Sequence, residues 1–86
     1  MVSEAVKTVV KAYILEQFLP GEDPNVLNDE TELVTGGILD SLASLKLVSF
    51  LEERFGVSVE AHEVDVDHLN TISDIEKLII SKSGRG

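Results

Sequence analysis

A chain of 86 residues has room for one small domain, because a typical domain takes about 100–200 residues, and it cannot build the walls of a deep enzyme pocket. With 16 acidic residues against 7 basic, the formal charge is -9, a field that repels nucleic acid and anionic lipid and attracts basic protein surfaces. Hydrophobic residues make up 43%, too many for obligate disorder, and the lack of cysteine excludes both a disulfide framework and a thiolate metal site.

In chain order, the first predicted element is a helix over Ser3 to Leu19. Val6, Val9, Val10, Tyr13, Ile14 and Phe18 recur at steps of three and four, with Lys7, Lys11 and Glu16 off that stripe and Ser3 as its cap. The charges at Glu4, Lys7 and Lys11 interrupt the apolar stretch that a signal peptide needs. No apolar run approaches the roughly 20 residues of a membrane span, so the expectation is a cytoplasmic monomer. Pro20-Gly21 ends the helix. A long aperiodic connection follows to Gly37, pegged to the core by Val26, Leu27, Leu33 and Val34, with Gly36-Gly37 permitting a tight approach.

The second helix is expected from Asp40-Ser41 to Phe55-Gly56. Asp40 is its N-cap, Gly56 its stop, and Leu45, Val48, Leu51 and Phe55 its inward stripe with Leu47 beside them. Val57-Ser58-Val59 reads as an extended link, and His62 to Leu69 as a short helix with Val64 and Leu69 turned inward. Thr71 followed by Asp74 has the spacing of a capping box, and Ile72, Ile75, Leu78 and Ile79 supply the last apolar stripe. Residues 83–86 read as a frayed tail. The expected fold is all-α: one domain over 1–86 with an ordered core of about 3–82, forming an irregular antiparallel four-helix bundle of three main helices and one short one.

Chemistry concentrates at Gly37-Ile38-Leu39-Asp40-Ser41-Leu42. A serine hydroxyl is placed at the start of a helix, where free N–H groups and the helix dipole favour a phosphate. Taken alone, the hexapeptide is equally a simple helix cap. The longer string from Leu33 to Val57, LVTGGILDSLASLKLVSFLEERFGV, resembles the acyl and peptidyl carrier protein family. The likeness extends to the Asp29-Glu30-Thr31-Glu32-Leu33 loop and the Thr71-Ile72-Ser73-Asp74-Ile75 helix start.

The resemblance implies a phosphopantetheine arm attached to Ser41 by a phosphopantetheinyl transferase, with acyl or aminoacyl cargo held on the distal thiol as a thioester. Asp40 matches the acid that presents the serine and a metal to the transferase, and Leu42 the apolar residue that contacts arm and partners. The protein then catalyses nothing itself; an acyl- or aminoacyl-activating ligase loads it and downstream synthases or transferases unload it. Partner docking is expected on the outer side of the second helix, at Leu42, Ala43, Lys46, Ser49, Phe50, Glu52 and Glu53. Fatty-acid carriers place acids along the first half of that face, where this chain has Ala43 and Lys46. Its string is closer to carriers loaded with amino acids, such as D-alanyl carriers. Phe50 is either part of an apolar docking patch or packed beneath the first loop.

Three other readings compete. An unmodified adaptor of the same fold has the same sequence features. A Ser41–His68–Asp65 esterase triad has suitable residue types, but Leu39 stands where that motif needs glycine and no buried strand precedes the serine. His62, Glu63, Asp65, Asp67 and His68 are close in sequence, yet they lack the spacing of a calcium loop or a closed zinc site.

Overall fold

The computed structural model describes residues 2–83, with side chains over 6–82 apart from position 24. Four α-helices follow one another: α1 (Val2–Phe18), α2 (Ser41–Phe55), α3 (Val66–Leu69) and α4 (Ile72–Ser83). Single 3₁₀ turns lie at Pro24–Val26 and Ala61–Glu63. No strand occurs among the described residues, so the fold is the all-α bundle that the helical periodicity implies.

Each long helix buries one stripe. Val6, Val10 and Ile14 face inward from α1, and Ile72, Ile75, Leu78 and Ile79 from α4, both at the three-four spacing read from sequence. Helix α4 packs against both α1 and α3, and α2 touches α1 and α4. In α2 the inward stripe is Ala43, Ser44, Leu47, Val48 and Leu51. This corrects the sequence-based face: Leu45 is 56% exposed, because Leu47 and Leu51 define the buried direction and a residue two positions away lies on nearly the opposite side. Gly56 ends α2 in the left-handed region at φ 68°, its N–H donating to the Glu52 carbonyl.

Several boundaries differ from expectation. Helix α1 already includes Ser3 rather than being capped by it, and Ser3's side chain lies outside the described ones. Ser83 belongs to α4, while the rest of the expected tail, 84–86, lies outside the described residues. The helix expected from His62 to Leu69 is broken into the 3₁₀ turn and α3. Asp65 interrupts it with an extended backbone and caps α3 by accepting the His68 N–H. Leu69 is buried there and Val64 half-buried.

The long connection is anchored rather than loose. Leu27 and Leu33 are buried, whereas Val26, at 48% exposure, is not the peg that the sequence suggested. Val26 closes the 3₁₀ turn and the interior position falls to its neighbour, Leu27. Polar bonds fix the rest. The Ser73 N–H donates to the Asp29 carbonyl at 3.2 Å, the Ser73 hydroxyl to Glu30 Oε2 at 2.7 Å, and Lys7 Nζ to Asp29 Oδ2 at 3.0 Å. The loop is thereby tied to α4 and α1 together. The hydrogen bond that Lys7 donates to the Asp29 carboxylate raises the Lys7 pKa above its ordinary 10.5.

Candidate functional site

Ser41 is the first residue of α2, and the preceding loop determines where it stands. The Leu33 N–H donates to the Asn70 carbonyl at 2.6 Å, and the Leu33 carbonyl accepts the N–H groups of Ile38 at 2.9 Å and Leu39 at 2.8 Å. The Asn70 side chain holds the same turn from the other side, its Oδ1 accepting the N–H groups of Val34 and Thr35, each at 3.0 Å. Gly36 is required by close approach, since a Cβ there would collide with the Glu32 carbonyl. With Leu33 and Leu39 both buried, the turn is pinned at each end and delivers the chain to Asp40.

Asp40 has an extended backbone, and its Oδ1 accepts the Ala43 N–H at 2.8 Å. One donor of the first turn is thus satisfied, while the N–H groups of Ser41 and Leu42 have no intrahelical acceptor. Ser41 is exposed, and its hydroxyl makes no hydrogen bond among the described residues. Leu42 is 64% exposed next to it.

A groove of about 490 Å³ adjoins this hydroxyl. It runs between the start of α2 and the Val64–Leu69 segment, with Val34, Leu39, Leu45, Val64, Val66 and Leu69 as apolar lining. Ser44 also lines it, and Asp40 and Asp65 supply its charged groups. Asp65 Oδ1 accepts the His68 N–H at 3.1 Å and meets His68 Nδ1 at 2.7 Å. That side-chain hydrogen bond lowers the Asp65 pKa from 3.8 and raises that of His68 from 6.5. Farther along, Lys82 Nζ sits 2.7 Å from Glu63 Oε1 and, through this bond, lowers the Glu63 pKa.

The residues expected to dock partners separate into two groups. Leu42, Lys46, Ser49 and Glu53 are exposed. Ala43, by contrast, is 8% exposed and belongs to the core, four residues before Leu47 on the same stripe; its expected outward position is incorrect. Phe50 is half-buried and stacks on Tyr13 of α1, with ring centroids 4.0 Å apart, so it packs against a helix and not beneath the first loop. Glu52 is half-buried, its Oε2 accepting the Val59 N–H at 2.9 Å.

Of the esterase constellation, Asp65 and His68 are hydrogen-bonded and Asp65 shares the groove with Ser41. No hydrogen bond joins His68 to Ser41. Among the described residues, no three acidic or histidine side chains converge as a metal group would need. Sequence reasoning missed Asn70 and Ser44. An asparagine just before the Thr71 helix start is a turn residue by type, but only the fold shows which loop it grips. Ser44 was legible as a polar residue between apolar positions on one stripe.

The family model described as a phosphopantetheine attachment site matches residues 14–79. The chain is 37% identical over 54 residues to the D-alanyl carrier protein of Bacillus velezensis, covering 63% of this chain and 69% of that one. It is 34% identical over 70 residues to the D-alanyl carrier protein of Streptococcus suis, covering 81% and 85% of the two chains. With the acyl carrier protein of Thermotoga maritima it shares 32% identity over 81 residues, covering 94% and 95%. On these matches and its helical fold, the chain belongs to the family of phosphopantetheine-binding carrier proteins.

Proposed function

We propose that Ser41 is the attachment residue, and that the protein presents an acyl or aminoacyl group, held on the arm, to successive enzymes in the cytoplasm. The observation that carries this reading is the exposed, unbonded Ser41 hydroxyl at the capped start of a 15-residue helix. The donors present fit the group. A phosphodiester on Ser41 would lie against the unspent N–H groups of the first turn of α2, and the adjoining groove offers apolar surface to an arm. When bound, phosphopantetheine supplies a thiol that holds cargo as a thioester, which the cysteine-free chain cannot do.

The chain's own contribution is positional. Asp40 fixes the helix start, the loop bonds to Asn70 hold that start against the core, and Ser41 provides the oxygen that a transferase esterifies. Tethering raises the effective concentration of cargo at each docked enzyme. Leu42, Lys46, Ser49 and Glu53, exposed along α2, form the docking face for the transferase, for an activating ligase and for downstream enzymes. The similar proteins include both D-alanyl and acyl carriers, which supports a cargo of acyl or aminoacyl class.

The test is intact mass after incubation with coenzyme A and a broad-specificity phosphopantetheinyl transferase. Gain of one phosphopantetheine, abolished by Ser41→Ala, is the expected result. An unchanged mass for the wild-type protein would favour the unmodified adaptor.

A further inference from the structure

The groove beside Ser41 also constrains the cargo, provided the arm is attached there as proposed. Most of its lining is apolar; Asp40, Ser41, Ser44 and Asp65 are the polar part, and two of these bear on the cargo. Ser44 is 8% exposed and lines the groove, and its hydroxyl makes no hydrogen bond among the described residues. Its Oγ is not sealed in the core, since no buried side-chain oxygen or nitrogen among the described residues lacks a partner, so the hydroxyl opens on the groove and is free to bond a ligand group there. Asp65 is the second. Both His68 bonds fall on its Oδ1 and Oδ2 takes neither, while the Asp67 backbone N–H also acts on the carboxylate. Among the described residues, the other charged group in the lining is Asp40, and no lysine or arginine lines the groove.

We propose that Asp65 and Ser44 select a cargo acyl group that carries an ammonium, an aminoacyl group, over a plain or carboxylate-bearing acyl group. The ammonium donates to Asp65 Oδ2, and the Ser44 hydroxyl bonds an amide or carbonyl of the tethered chain. A cargo carboxylate would instead meet two like charges, which disfavours it. Because Asp65 is solvent-accessible, the attraction is modest and works as a preference for one cargo class over another.

The test loads the protein, through the transferase, from three coenzyme A analogues whose thioester is replaced by a stable amide: alanyl, propionyl and malonyl. Propionyl has the alanyl carbon skeleton without its nitrogen. Intact mass comes first, and failure to load any arm would overturn the carrier reading and this proposal with it. In loaded protein, alanyl cargo is expected to give nuclear Overhauser contacts to Ser44 and Leu69 that propionyl and malonyl lack. Its ammonium pKa should rise by about 0.5 unit over the free analogue. Asp65→Asn should abolish the rise, and Ser44→Ala should weaken the contacts. Since Asp65 also caps α3, Asp65→Ser keeps a capping oxygen without the charge and should behave as Asp65→Asn does. Identical contacts from alanyl and propionyl cargo, or an ammonium pKa indifferent to both Asp65 variants, would overturn the proposal.

Discussion

The Asn70 carboxamide oxygen accepts the Val34 N–H across 36 residues of chain, and through that bond the residue that ends α3 sets the turn that leads into Ser41. The Asn70 backbone carbonyl takes the Leu33 N–H as well, so one residue holds three successive N–H groups of the loop. The exposed hydroxyl on α2 is thus positioned by the α3–α4 junction.

Asn70→Ala should therefore be costly for a single polar residue. The half-buried Val34 N–H would lose its partner, with an expected loss of about 1–3 kcal/mol in urea unfolding. Asn70→Asp keeps the accepting oxygen and should recover most of that loss. Equal destabilisation by both variants would contradict this assignment of the bond.

Two glycines should respond to alanine for different reasons. At Gly36 the added methyl meets the Glu32 carbonyl, and since backbone must shift, the expected cost is about 1–3 kcal/mol. At Gly56 the space is open but φ is 68°, so only the left-handed backbone is penalised, by about 1–2 kcal/mol. Transferase labelling separates them further: Gly36→Ala should slow modification at Ser41 because its turn leads to that residue, and Gly56→Ala should leave the rate unchanged.

Removing the helix cap with Asp40→Ala should lower stability by about 1 kcal/mol, read as a shift in denaturation midpoint at constant slope. Asp40→Asn, which keeps the oxygen that accepts the Ala43 N–H, should retain stability. Any loss of transferase rate in Asp40→Asn then reports the missing charge alone.

The Asp65–His68 pair makes stability depend on pH in a defined window. The lowered Asp65 pKa contributes stability that is present above 3.8 and lost as pH falls through its folded value. The raised His68 pKa contributes stability that is fully present below 6.5 and lost as pH rises through its folded value. Both contributions coexist between those limits. NMR titration of the His68 ring should place its midpoint above 6.5, and Asp65→Asn should return it toward that value. A midpoint at or below 6.5 in the wild-type protein would contradict the pairing.

Sequence alone sufficed for the all-α class, the approximate limits of α2, the stripes of α1 and α4 and the Asp40 cap. All of these rest on local rules: a 3.6-residue period, a carboxylate ahead of a helix, a glycine after one. It was also enough for the carrier resemblance, because a long contiguous string carried it. Tertiary structure decided which side of α2 is inward, burying Ala43 and exposing Leu45, since an apolar-rich helix offers more than one plausible stripe and only its neighbours choose between them. Tertiary contact also decided that Phe50 stacks on Tyr13, that Asn70 grips the turn before Ser41, and that Ser44 and Asp65 share a groove with that serine. These are contacts between residues mostly distant in the chain, where no periodicity specifies the partner.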